Sequence, residues 1–413
     1  MSAMPPSRVH AETVRVLYHH RTRAEDAQGI HISEMLRAFR GLGHEVDVAA
    51  LVEADEAGDR LLRGRRWRGA LPQAPHWLYE LMSLAYNFVG YARLARQIRR
   101  QRPDVIYERY SLNTFCGVWA SRRFRIPLVL EVNAPLYHEQ RQLGALVFEH
   151  LARVSEPWIC SHSTRTIVVS QVMKDMLVAE GVPADHMVVM PNGIDPEEFH
   201  PRISGEQVRQ RHGLNGAIVV GFVGWFRPWH GLETLVDIVH EAGFAERGVR
   251  LLLVGDGPAY ADLRQAVHAR GLEKAVILTG PIARREIPAY VAAMDVAVQP
   301  SATSYACPMK IPEYLGMAKC VVGPDQPNIR ELLEDGVTGV LFRAGDKESL
   351  RAALEAVISD PAKRRRIAER GFESVFERGL LWRANAERAL ALVFGRPGNG
   401  HGVGRTASVN ATA

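Results

Sequence analysis

Residues 296–342 read VAVQPSATSYACPMKIPEYLGMAKCVVGPDQPNIRELLEDGVTGVLF. The order is apolar strand, polar loop, short helix, apolar strand, loop, helix, strand. Such alternation specifies a parallel sheet with helices packed on its faces. Pro308-Met309-Lys310 is expected to open the short helix, because proline suits a first helical position, where its missing N–H loses no partner. Glu313 then lies one turn in. Free N–H groups at a helix start, with the dipole behind them, favour a negative group such as phosphate. A carboxylate one turn further on can accept hydrogen bonds from sugar hydroxyls. These are the parts of a nucleotide-sugar site. An ordinary βα unit with a surface Glu would read the same way, so the rest of the chain decides.

Working outward, the first half repeats the alternation. Residues 14–18 read as a strand, 32–42 as a helix stopped by Gly43, and 45–51 as a second strand. No GxGxxG occurs at this βαβ start, which argues against a dehydrogenase. Gly29, in the loop before that helix, would let backbone approach a ligand at the sheet's carboxyl edge. Residues 77–98 carry a broad apolar helical face, either a buried domain helix or an interfacial element. Strands follow at 104–107 and 127–130, the latter running into a polar turn with Asn133. Another strand at 166–169 ends at Ser170, a good N-cap, and 187–190 closes the half.

The polar, weakly periodic segment 201–216 reads as a linker between a domain at 1–200 and a second at 217–379. Strands recur at 217–223, 250–254 and 276–278. Each runs into a glycine-bearing loop: Gly224 to Gly231 with Arg227 and His230, then Gly255 and Gly257, then Gly280 and Ile282. All these loops fall at carboxyl ends of parallel strands, where open α/β sheets bind ligands. A last helix is expected within 380–395. Residues 1–12 and the Gly-rich tail 396–413 read as flexible and disordered.

Composition sets outer limits. The chain has 413 residues, 47% hydrophobic and 23% charged, with a formal charge of +5. That describes a globular protein of two domains. Four scattered cysteines show no metal or disulfide spacing and read as reduced thiols in a cytosolic protein. There is no apolar signal segment and no run of about 18 apolar residues. Arginines cluster at 60, 63, 65, 66 and 68 and again at 93, 96, 99 and 100. Without a nucleic-acid motif beside them, they suit an anionic membrane face or a phosphate-bearing acceptor better than nucleic acid.

In order, PNGIDPEEF (residues 191–199), FVGWFRPWHGLE, VGDGP, LTGPI and PMKIPEYLGMAKCVV resemble the retaining glycosyltransferases of family four, over roughly residues 14–395. The resemblance implies the GT-B fold, two Rossmann-like domains facing across a cleft. The first would take a lipid-linked or glycan acceptor and the second a nucleoside-diphosphate sugar. The terminal helix would cross back to the first domain at Trp382. The version of the motifs found here resembles bacterial enzymes of exopolysaccharide and lipopolysaccharide assembly, working in the cytoplasm at the inner membrane face. Glu313 would hold the ribose hydroxyls, and the backbone at Pro308, Met309 and Lys310 the distal phosphate. Gly29, Gly224, Gly255, Gly257, Gly280 and Ile282 would border the donor. Where many relatives carry Arg and Lys beside the strand glycine, this chain has Trp225 and His230, leaving Arg227, helped by a protonated His230, as the cation. Tyr305 stands where the family's first glutamate faces the donor sugar, and Asn133 where many relatives have a histidine. No Asp-x-Asp occurs, so no metal or other cofactor is expected. Two alternatives share the fold: a nucleotide-sugar epimerase, and a non-catalytic partner subunit that binds nucleotide sugar or lipid.

Overall fold

A computed structural model describes residues 13–22, 27–50 and 75–395. The expectations for 1–12, the arginine cluster at 60–68 and the tail from 396 therefore lie outside the described residues. Within them, twelve strands form two six-stranded sheets. The first holds β1 (Arg15–His20), β2 (Glu45–Ala50), β3 (Val105–Arg109), β4 (Leu128–Val132), β5 (Arg165–Val168) and β6 (Met187–Val189) in the order β2-β1-β3-β4-β5-β6. The second holds β7 (Ile218–Val223), β8 (Val249–Val254), β9 (Val276–Leu278), β10 (Val296–Val298), β11 (Cys320–Asp325) and β12 (Val340–Arg343) in the order β12-β11-β10-β7-β8-β9.

Every pairing is parallel. Parallel strands carry helices on both faces, so their residues are apolar on both sides. Accordingly β3 and β4 are buried throughout. In each sheet the strand order reverses once, between β1 and β3 and between β7 and β10. The reversal opens a crevice at the strands' carboxyl ends, because successive crossovers leave in opposite directions there.

Two sequence expectations change. The first helix is Ala27–Gly41, so Gly29 sits in its first turn, buried, rather than in a loop. Burial of this part of the helix, which takes in Gly29 and every residue from His31 to Leu36, outweighs the roughly 1 kcal/mol helix cost of a glycine. The second concerns Pro308. The short helix is Lys310–Gly316, with Met309 at its N-cap. Pro308 lies in the turn before it, its carbonyl accepting from Ile311 N at 3.2 Å.

The segment 201–216 contains a short helix, Glu206–Arg211, and buries Val208 and Leu214. The last helix, Trp382–Phe394, packs Trp382, Ala386, Ala389 and Leu390 against Ile32, Met35, Leu36 and Phe39 of the first helix. Its entry is pinned by backbone bonds, Ile194 N to Leu380 O at 3.0 Å and Trp382 N to Ile194 O at 3.1 Å. The four cysteines are free and buried.

Candidate functional site

The β7/β10 reversal brings the loop after β7 beside the helix Lys310–Gly316. Gly224 leaves β7 at φ 152°, and a Cβ there would lie 3.1 Å from Lys310 Nζ. Only glycine reaches that backbone region without strain. Gly255 and Gly257 are tighter still: a Cβ would meet Gly224 O at 2.0 Å and Phe226 N at 2.5 Å respectively. Gly255 also pairs with Gly280 in an isolated bridge. The glycines expected to border a donor thus first allow three loops to stack on one another, and Ile282 packs half-buried against the core.

Against this floor lie a cation and a carboxylate. Lys310 Nζ sits 4.1 Å from the centroid of the Phe222 ring. Burial pushes its ammonium down to about 7, opposed by the pull of Glu313. Removal from water disfavours the charged form of a lysine, and a nearby carboxylate restores part of the loss. Glu313, one turn on, is buried and ion-paired through Oε1 to Arg284 Nη2 at 2.8 Å.

His230 does not serve as a second cation. Burial first, then Lys310 and Arg227, hold its imidazole down at about 3, so the ring is neutral near pH 7. Its Nδ1 accepts from Arg227 N at 3.4 Å. The sequence could not reveal this, because the lysine against His230 comes from a distant helix. Arg227 lies with its guanidinium 5.3 Å from the ring of exposed Trp229.

The facing edge of the first sheet supplies a different chemistry. Asn133 follows β4, with its side-chain nitrogen buried and lacking a hydrogen-bond partner. Glu131, two residues earlier, meets His31 Nε2 at 2.9 Å and Arg109 Nη1 at 3.9 Å. Burial pushes the Glu131 carboxyl up, but His31 and Arg109 outweigh it and leave the group below its ordinary value. At the end of β1, His20 is fully buried and burial holds it down at about 4.

Tyr305 joins the two edges. Its hydroxyl donates to Glu139 Oε1, on the helix Leu136–Gln142 of the first sheet. Its carbonyl accepts from Ser170 Oγ at 2.6 Å, while Ser170 caps the helix Gln171–Ala179 as its type suggested. Met309 also reaches the first sheet's apolar cluster. Of the residues singled out in the sequence, Gly224, Gly255, Gly257, Gly280, His230, Lys310 and Glu313 come together. Asn133 lies at the first sheet's edge, Tyr305 reaches that edge from the second domain through Glu139, and Gly29 lies within a helix. Sequence reasoning missed Arg284, Glu139 and Glu34. Arg284 stands two residues after LTGPI and was visible only as one more surface-type arginine. Among the described residues, no group of three or more His, Cys, Asp or Glu side chains is arranged to hold a metal ion.

Two Rossmann-like domains, with Lys310 and Glu313 brought together in the crevice of the second, have the architecture of a GT-B glycosyltransferase. Two family models match in tandem, Glycosyltransferase Family 4 over residues 28–198 and Glycosyl transferases group 1 over residues 217–360. The chain belongs to the family-four glycosyltransferases of GT-B fold. It is 26% identical over 328 residues to a GDP-mannose-dependent alpha-mannosyltransferase of Mycobacterium tuberculosis, covering 77% of this chain and 80% of that one. It is 26% identical over 256 residues to an alpha-D-kanosaminyltransferase of Streptomyces kanamyceticus, covering 60% of this chain and 66%, just under two-thirds, of that one. Its fold matches that of Anabaena Alr3699/HepE in complex with UDP-glucose, at TM-score 0.72 and 22% identity over 93% of this chain and all, 100%, of that one.

Proposed function

We propose that this glycosyltransferase moves a sugar from a nucleoside diphosphate to an acceptor hydroxyl with retention of anomeric configuration, in cell-surface polysaccharide or glycolipid assembly. The observation that carries the reading is the pairing of Lys310 and Glu313, one turn apart, beneath the Gly224 turn. The ammonium suits a diphosphate and the carboxylate suits ribose hydroxyls. In the reaction the bond from the anomeric carbon to the diphosphate oxygen breaks and a bond to the acceptor oxygen forms. The acceptor's proton leaves with the diphosphate. Negative charge grows on the departing diphosphate, where fixed donors act most strongly. Lys310 supplies the first, and Arg227 a second once its side chain turns from Trp229. The chain has no Asp-x-Asp with which to hold a metal against the diphosphate, and this reading assigns none.

Calorimetry with a panel of nucleoside-diphosphate sugars tests the reading. Glu313→Ala is expected to lose donor affinity, and Arg227→Ala to lower turnover about 10- to 1000-fold, the scale of one preorganised donor. Unchanged donor binding in Glu313→Ala would remove the ribose role, and near-normal turnover in Arg227→Ala would remove that side chain from the mechanism.

A lipid-linked acceptor is supported by the helix His76–Gln101. Its outward residues Trp77, Tyr79, Leu81, Met82, Phe88 and Val89 are exposed, and Arg93, Arg96, Arg99 and Arg100 are exposed beyond them. Its carboxylate, Glu80, is turned inward and accepts from the backbone of Val147 and Phe148. An apolar stretch followed by outward charges that are all arginine fits the inner face of an anionic membrane. No described helix is long and apolar enough to cross one.

A further inference from the structure

Arg284 opens a short 3-10 turn, Arg284–Glu286, after the loop that follows β9. Its side chain is mostly buried and meets carboxylates from three separate parts of the chain. Glu313, in the crevice, is 2.8 Å from Nη2. Glu198, in the segment after β6, is 3.4 Å from Nε. Glu34, on the first helix, is 3.9 Å from Nη2. The Phe199 ring centroid lies 4.8 Å from the guanidinium carbon. An aromatic face and a carboxylate together fix both the position and the plane of a guanidinium.

The three carboxylates are not equally dependent on it. Arg37, on the same helix as Glu34, is 2.7 Å from Glu34 and 3.7 Å from Glu198, and also approaches Asp195 at 3.9 Å. Glu34 and Glu198 therefore keep a cation when Arg284 is taken away. Among the described residues Glu313 has no other ion pair within 4.0 Å. A buried charge whose partner is removed is strongly disfavoured, so its side chain turns away or takes up a proton.

We propose that Arg284 is the positioning residue of the donor site, holding the Glu313 carboxylate toward the crevice and tying it to the first domain through Glu34 and Glu198. The inference rests on the reading of Glu313 as a partner of the donor's ribose hydroxyls. Arg284 touches neither donor nor acceptor. It sets the orientation of a group that does, and its anchor is on the opposite domain. Donor capture and apposition of the two domains are thereby coupled through one guanidinium.

The test uses the full chain and four variants: Glu313→Ala, Arg284→Gln, Arg284→Lys and, as a control within the same cluster, Arg37→Gln. Each is assayed by calorimetry with the nucleoside-diphosphate sugar that binds the wild type, and by steady-state rates. Arg284→Gln is expected to weaken donor binding about 10- to 100-fold, the range for one hydrogen bond to a charged group. The loss should fall on the donor KM, with the acceptor KM unchanged. Arg284→Lys should recover part of it, and Arg37→Gln should bind donor as the wild type does. Normal donor binding in Arg284→Gln together with a loss in Glu313→Ala would overturn the inference alone. Normal binding in both would overturn the ribose reading and the inference with it. An equal loss in Arg37→Gln would also overturn it, since the effect would then belong to the cluster as a whole and not to Glu313.

Discussion

At the scale of single residues, Lys310 shows how surroundings change what a residue type means. The sequence offered its backbone to a phosphate and the proposed function adds its side chain, but burial holds the ammonium at about 7 rather than in the usual lysine range. A group with a depressed pKa is half deprotonated near neutrality in the free protein, and a bound diphosphate draws the proton back. Donor affinity is therefore expected to be level below about pH 7 and to fall as pH rises above it, by up to about tenfold per pH unit, until the bound-state pKa is reached. Calorimetry near pH 8 in buffers of different ionisation heat should record proton uptake on donor binding, absent in Lys310→Met. Affinity that rises with pH would contradict this assignment. His230 is pushed down by burial as well, and its imidazole is already neutral over this range, so His230→Gln should not alter that profile. Lys310 and Glu313 were legible because they sit in one short helix and one motif. Arg284 was not, since its significance is a distance to Glu313 that no local pattern encodes.

Among the secondary-structure elements, the strands were the most legible. The central strands are parallel and buried, so they read as apolar runs bounded by turn residues, as Ile218–Val223 illustrates. Helix starts were less so. Ala27–Gly41 begins before the expected position because a glycine that reads as a loop signal is carried by the packing of its neighbours. The helix His76–Gln101 is the case where sequence left two meanings open. It is partly both: Leu94 and Ile98 enter the core while Trp77, Met82 and Phe88 stay exposed. This element should bind vesicles containing anionic lipid at low salt and release them as salt rises over a few tenths molar, because surface charges are screened within about 10 Å at 0.1 M. Co-sedimentation of Met82→Ser/Phe88→Ser should show reduced binding, and replacing Arg93, Arg96 and Arg100 by Gln should remove the salt dependence. Equal sedimentation with neutral and anionic vesicles would argue against the basic half of the face.

For the whole molecule, the crevice is bridged rather than open. Tyr305 donates to Glu139, residues 166 positions apart, and Ser170 Oγ donates to the Tyr305 carbonyl. Gln171 N donates to both oxygens of Glu331 at 2.9 Å. A closed crevice matters for a transferase because water competes with the acceptor. Tyr305→Phe keeps the ring and removes the bond to Glu139. It should raise hydrolysis of donor relative to transfer by a few fold, the scale of one hydrogen bond of about 1 kcal/mol. Counting free sugar against glycosylated acceptor by chromatography measures this ratio, and an unchanged ratio would mean the bond does not restrain the cleft. The sequence by itself determined the alternation of strands and helices, the two parallel sheets and the edge at which loops collect. Those follow from apolar periodicity and from glycine and proline, which act over a few residues. Only the tertiary structure decided that Glu139 meets Tyr305, that Arg284 holds Glu313 and that His230 is uncharged. Each of these depends on burial and on distances between segments far apart in the chain, and charge and hydrogen bonding respond to distance and burial rather than to residue order.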